Sequence, residues 1–256
     1  MLAVKKPIAV RVIDPLGLSY SESDAPVVLQ STPACPLLVD PEQRELAEHF
    51  GIVRARLLNA RGKYGIGSIV IASPQKGDGK SFTALNLAIS LAQLQHLRIL
   101  LVDGDLRQHG ITRTLGLEQR SGLGDYLRKC APFAECVHST SLHHLEIAPA
   151  GNVVNEALPG ILEGAPWPDF VREAKQEFDL IVIDSVPASA PIADFELLLG
   201  ACDAALLVVS IRKTSRDATD LTVQQMQGKL IGVVVNNKQS PVAFDYGFQN
   251  PGKRST

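Results

Sequence analysis

Between Ser68 and Asn236, short runs of wholly apolar residues alternate with stretches whose apolar positions recur every three or four residues. The apolar runs are Ser68–Ser73 (SIVIAS), Arg98–Asp103 (RILLVD), Leu180–Asp184 (LIVID), Ala204–Ser210 (AALLVVS) and Ile231–Asn236 (IGVVVN). A strand with no polar face is buried on both sides, so the pattern predicts a mostly parallel sheet covered by crossover helices. Those helices are expected over Ser81–Gln95, Trp167–Phe178, Ile192–Leu199 and from Ser215 onward. Upstream, Leu46, Phe50, Val53, Leu57 and Leu58 fall on one face and predict an amphipathic helix over Glu42–Ala60. Gly51 weakens that helix by about 1 kcal/mol relative to alanine.

The two ends read differently. Residues 1–41 carry Pro7, Pro15, Pro26, Pro33, Pro36 and Pro41, which remove backbone donors and block helices, so a flexible N-terminal arm is expected. Residues 241–256 lose all periodicity and are expected to form a flexible tail, which leaves 42–240 as the folded domain. A single α/β domain suits a chain of 256 residues. A formal net charge of −2 without blocks of like charge gives no electrostatic invitation to nucleic acid. Cys35, Cys130, Cys136 and Cys202 have neither CxxC nor metal-like spacing, and reduced thiols in a cytoplasmic protein are expected. No apolar run reaches the ~18 residues of a membrane helix, so no direct span is expected.

The densest chemistry lies in Ala72–Ser81, ASPQKGDGKS, between a predicted strand and a predicted helix. Gly77 and Gly79 allow backbone N–H groups to close round phosphate oxygens, with Lys76, Asp78 and Phe82 in the same turn. Lys80 brings a cation to the β/γ-phosphates, Ser81 a hydroxyl for Mg²⁺, and the helix its positive end. Pro74 stands where GxxxxGK[ST] has its first glycine. A second cluster, Leu101–Arg107 (LVDGDLR), places Asp103 and Asp105 two apart at a strand's carboxyl end, where open α/β sheets bind ligands. A third ends LIVID on Asp184, a carboxylate placed to order a metal's water shell. Together these predict a P-loop NTPase fold of the α/β class that binds Mg²⁺ and ATP.

GDGKS, DGDLR and IVIDSVP resemble the Walker A, A′ and B motifs of the bacterial tyrosine kinases, P-loop ATPases paired with polysaccharide co-polymerases. The resemblance runs from about Leu46 to Lys238. It takes in LAEHFGIVRARLLNA, RTLGLEQRSGLGDYL, PAGNVVNEAL, Pro191–Asp194 and GVVVNN. The wording of SFTALNLAISLA is similar to the branch beside exosortase-linked exopolysaccharide clusters. The resemblance implies phosphotransfer from ATP to protein tyrosine, in control of exopolysaccharide or capsule chain length, polymerisation or export. It implies Lys80 and Ser81 on phosphates and metal, Asp103 as acceptor of the tyrosine proton, and Asp105 and Asp184 on Mg²⁺. Arg107 would anchor the A′ loop and Asn236 contact adenine. It further implies a membrane co-polymerase as partner, recruitment to the inner face of the cell membrane, and a homo-oligomeric ring.

The chain departs from that family in three places. The family's Glu-x-x-Arg-x-x-Arg interface motif reads Glu48, Gly51, Arg54, with Arg56 nearby, so ring assembly loses a forked guanidinium. The tail offers one tyrosine, Tyr246, rather than a cluster, and Lys76 replaces a usual proline. A kinase-weak regulatory ATPase of the same export machinery is therefore the alternative. A partitioning-type ATPase is a third, set back by Gln75 in the slot where that class carries a second lysine. His143–His144 reads as strand surface, Trp167 as a packing anchor at a helix start, and Cys202 as core.

Overall fold

The structure is a computed structural model, and it describes residues 25–32, 35–152, 162, 164, 166–189, 193–211, 213–226 and 228–236. Tyr246, the tail, most of PAGNVVNEAL and Pro191–Ile192 lie outside the described residues.

Helix α1 (Arg44–Tyr64) leads into β1 (Ser68–Ala72), the P-loop turn and α2 (Lys80–Ala92), and then β2 (Ile99–Asp103). The middle of the chain holds short elements: α3 (Gly110–Leu115), α4 (Leu123–Leu127), α5 (Phe133–Cys136), β3 (His138–Ser139) and β4 (Leu145–Ala148). The chain continues with α6 (Pro166–Glu177), β5 (Leu180–Asp184), α7 (Asp194–Gly200), β6 (Ala204–Ser210), α8 (Arg216–Gln225) and β7 (Leu230–Asn236). The seven strands lie in the order β3-β4-β2-β5-β1-β6-β7, all neighbours parallel except β3 with β4. The fold is the expected α/β sheet with helices on both faces. Every residue of β1, β2 and β5 is buried, as uniformly apolar strands require.

Two hydrophobic clusters sandwich the sheet. On one face Ile69, Ile71, Leu101 and Val182 meet α2 and α1 through Leu85, Ile89, Phe50, Val53 and Leu57. On the other, Val70, Leu100 and Ile181 meet α6 and α7 through Phe170, Trp167, Phe195 and Leu198. Trp167 is the anchor its position at a helix start suggested: its ring stacks on Phe170 at 5.9 Å, and its indole N–H donates to the Leu198 carbonyl at 3.2 Å. Cys202 is buried, its thiol pushed up to about 12 by desolvation.

The stretch assigned by its prolines to a flexible arm is, in its described part, packed. Val27, Leu29, Leu37 and Leu38 are buried. Val27 shares backbone hydrogen bonds with Ser139 of β3 and with Ser141 just beyond it, at 2.8 Å each. Further on, the Leu38 N–H donates to Asn86 Oδ1 at 3.0 Å, Asn86 Nδ2 donates to the Pro36 carbonyl at 3.2 Å, and Gln93 Nε2 to the Leu38 carbonyl at 3.0 Å. Proline blocks helices but not an extended chain whose backbone is satisfied by side chains on and beside α2, which is why composition alone misplaced this segment. If it is part of the core, Leu37→Ala should lower stability by about 2–5 kcal/mol in denaturant unfolding, and an unchanged midpoint would remove it from the core.

Candidate active site

The turn from β1 to α2 is built for anions. Gly77 and Gly79 adopt φ of +87° and +102°, backbone that side-chain-bearing residues rarely reach, and this curls the loop back toward the helix start. Among the described residues, none accepts from the N–H groups of Lys76 through Phe82. A run of unpaired donors at a helix N-terminus is what phosphate oxygens satisfy.

The adjacent strand ends bring the acids to this turn. β5 lies between β1 and β2, and register pairs Asp184 with Ile71 on one side and with Asp103 on the other. The Gly104 N–H donates to the Asp184 carbonyl at 2.8 Å, and a Cβ on Gly104 would stand 2.7 Å from that oxygen. The glycine of DGD is therefore required by close backbone approach. Lys80 Nζ reaches Asp105 Oδ2 at 2.9 Å and Asp184 Oδ1 at 3.3 Å, all three side chains being buried. Asp105 Oδ1 accepts from the Gln108 N–H at 3.0 Å, which fixes the turn that carries it. Asp103 Oδ2 accepts from the Thr112 N–H at 2.8 Å and the Thr112 hydroxyl at 2.7 Å.

Burial dominates the electrostatics. Desolvation raises the Asp103 carboxyl above the usual range, against the Thr112 hydrogen bonds and Lys80. Asp184 is pushed up to about 7 by desolvation, Lys80 opposing and Asp103 and Asp105 adding to the shift. Burial alone would lower Lys80, but Asp184 and Asp105 hold its ammonium above the ordinary lysine value.

Around this centre Arg107 Nε donates to Asp194 Oδ2 at 2.9 Å, tying the A′ turn to the first turn of α7. Lys76 Nζ donates to Gln108 Oε1 at 2.6 Å, so its charge bridges the two loops. Asn236 Nδ2 donates to the Asp78 carbonyl at 2.8 Å. Phe82 packs edge-on against Phe50 of α1, centroids 6.1 Å apart. Lys80, Ser81, Asp103, Asp105 and Asp184 thus share one crevice, while Lys76, Gly77, Asp78, Gly79, Phe82 and Arg107 lie in the two adjoining turns and Asn236 against the first of them. Thr112, Gln108 and Thr214 escaped the sequence analysis. Each is an ordinary polar residue outside the motifs, and only the fold shows what it touches.

The residues fit a magnesium ion. Asp103 Oδ1 and Asp184 Oδ2 are buried without a hydrogen-bond partner. Among the described residues no three Asp, Glu, His or Cys side chains converge as a ready-made metal cage. Mg²⁺ asks for less, since it takes one or two protein oxygens and fills its octahedron with waters and phosphates. Ser81 Oγ, beside the Lys80 ammonium at 3.3 Å, is the neutral member of such a set.

Comparison with known proteins agrees with this geometry. The chain matches the AAA domain family over residues 67–227, more than half its length, and belongs to it. Within that class the relatives it resembles are named tyrosine-protein kinases. It is 29% identical over 206 residues to the tyrosine-protein kinase YwqD of Bacillus subtilis, covering 79% of this chain and 85% of that one. It is 28% identical over 217 residues to the tyrosine-protein kinase CpsD of Streptococcus agalactiae, covering 83% and 93%. Among solved structures, the chimerical protein CapA2B2 superposes with a TM-score of 0.73 at 22% identity, over 85% of this chain and 96% of that one. The septum site-determining protein MinD of Pyrococcus horikoshii, complexed with Mg-ADP, gives 0.55 at 22% identity, over 68% and 71%. The fold is thus closer to CapA2B2 than to MinD. Among the described residues no helix is long and apolar enough to cross a membrane.

The Asp184 shift has a pH signature. Its carboxyl titrates near 4 in an unfolded chain and at about 7 here, so the folded state penalises the ionised form. That penalty is absent below about pH 4, grows between about pH 4 and 7, and is complete above. Without metal or nucleotide, the stability of the wild type relative to Asp184→Asn should fall by on the order of 1 kcal/mol or more from about pH 5 to about pH 8. Denaturant unfolding of both proteins across that range measures it, and a pH-independent difference would refute the shift.

Proposed function

We propose that the protein transfers the γ-phosphoryl group of Mg-ATP to protein tyrosine, on itself or on another copy. On this reading it serves exopolysaccharide or capsule chain-length control, polymerisation or export beside a membrane co-polymerase, at the inner face of the cell membrane. The observation that carries the reading is the single crevice in which Lys80, Asp103, Asp105 and Asp184 meet a turn of unpaired N–H groups. The kinase names of its relatives support it.

The residues divide the work. The P-loop N–H groups and the positive end of α2 hold the triphosphate. Lys80 leaves its carboxylate partners for the phosphates as a mobile cation on a rigid helix start. Asp105, Asp184 and the Ser81 hydroxyl would hold Mg²⁺, which when bound neutralises charge on the transferring group. Asp103 is the proton acceptor for the attacking tyrosine hydroxyl. Thr112 occupies one of its oxygens, and the bare Oδ1 receives the proton. Its raised pKa brings it nearer to a phenol's and favours that transfer. Arg107 and Asp194 keep the A′ turn in place, and Asn236, beside the Asp78 carbonyl, would contact the adenine base.

A second reading, a regulatory ATPase with little kinase activity, draws on one observation. Arg54, the remaining arginine of the interface motif, donates to the Ser90 carbonyl at 2.7 Å within its own chain. Incubation of the pure protein with Mg-ATP, followed by phosphotyrosine detection, separates the two. Wild type should label, and Lys80→Ala should not. Asp103→Asn should bind ADP within a fewfold of wild type yet transfer about 10²-fold more slowly. Bound ATP without phosphotyrosine, on the chain or on an added tyrosine peptide, would leave the regulatory reading standing.

A further inference from the structure

Asp78 is a carboxylate in a loop shaped for anions, and it is fully buried. Such a charge opposes phosphate binding unless it is turned aside and satisfied. Both conditions are met. Asp78 Oδ2 accepts from the Gln75 N–H at 2.9 Å, closing the turn on itself. Asp78 Oδ1 accepts from the Thr214 hydroxyl at 2.7 Å, across a sequence separation of 136 residues. Thr214 lies in the turn between β6 and α8. Its Oγ1 accepts from the Ser210 N–H at 3.2 Å, and its own N–H donates to the Ser210 carbonyl at 3.0 Å. With that oxygen receiving from Ser210, the hydroxyl proton is directed to Asp78.

The neighbouring residue adds a second grip. Lys213 Nζ donates to the Lys76 carbonyl, and it lies 2.4 Å from where a Cβ on Gly77 would be. The β6–α8 turn therefore holds the P-loop at Lys76 and at Asp78, on either side of Gly77, while the loop's own N–H groups from Lys76 to Phe82 are left without acceptors among the described residues.

We propose that Thr214 is a positioning residue of the phosphate site. Acting through Asp78, it holds the P-loop in the shape whose free N–H groups receive the nucleotide's phosphates, so the β6–α8 turn sets nucleotide affinity. The proposal rests on nucleotide binding at this site and adds a control point outside the Walker motifs. It touches neither Lys80 nor Asp103, so its signature is in binding and not in the chemical step.

The test is titration of a fluorescent ADP analogue with Mg²⁺, together with the KM for ATP and kcat, on Thr214→Val and Thr214→Ser. Loss of a hydrogen bond to a buried charge should raise the Kd and KM of Thr214→Val about tenfold. The same variant should keep kcat at saturating ATP, and Thr214→Ser should stay within about twofold of wild type throughout. Should Thr214→Val fold poorly, Asp78→Ala and Thr214→Ala supply the pair, and their combined effect should not exceed the larger single one. A Thr214→Val protein that binds as tightly as wild type, or that loses kcat with unchanged affinity, overturns this proposal alone. Wild-type protein that fails to bind the analogue overturns it together with the function above.

Discussion

One buried ammonium among three buried carboxylates organises this molecule. Lys80 Nζ stands between Asp105 and Asp184 at the carboxyl ends of the central strands, and Asp103 lies beside Asp184 in register. One positive charge cannot offset three negative ones in a desolvated crevice, so protonation or further cation must do the rest. Desolvation raises Asp103 and Asp184, and the neighbouring carboxylates add to the shift. The charge imbalance also makes the crevice receptive to a divalent ion accompanied by an anionic ligand that draws Lys80 away. The cluster is costly for folding, and buried acids on this scale recur at sites selected for chemistry.

The surrounding fold exists largely to hold that cluster still. Three neighbouring strands, each buried along its length, fix the positions of Asp103, Asp184 and the P-loop relative to one another through backbone register. Short contacts then set the rotamers: Thr112 on Asp103, Gln108 on Asp105, Asp194 on Arg107. Thr112 is itself held, because its hydroxyl accepts from the Ala150 N–H at 2.8 Å just beyond β4. Of the short helices α3 thus supports the acid that ends β2, whereas Tyr126 of α4 and Phe133 of α5 pack against Phe170 of α6.

How much of this was legible follows from what each element buries. β1, β2, β5, β6 and β7 were readable because a doubly covered strand needs apolar side chains at every position. The motif acids were readable because they end such strands. β3 and α3–α5 were not, since elements of two to six residues carry too little periodicity to separate from loop. The packing of residues 25–32 and 35–38 was not, because proline density reports helix avoidance, whereas the partners Asn86 of α2 and Gln93 at its end are revealed by no local pattern. Thr214 was invisible for the same reason: its partner is 136 residues away.

Helix α1, for which the resemblance implied an interface, gains meaning from its packing within the chain. Arg54 reaches the Ser90 carbonyl and hydroxyl on α2, and Phe50 meets Phe82 directly after Ser81. Gly51, with nothing within 4 Å of where its Cβ would stand, is exposed to no steric demand that would explain a glycine there. The Gly51 position is therefore open, while Arg54 is committed to the P-loop helix of its own chain. α1 consequently bears on the nucleotide site through α2 in the same molecule. On the outward side of the same helix Ile52 is 44% exposed and Arg56 is exposed as well.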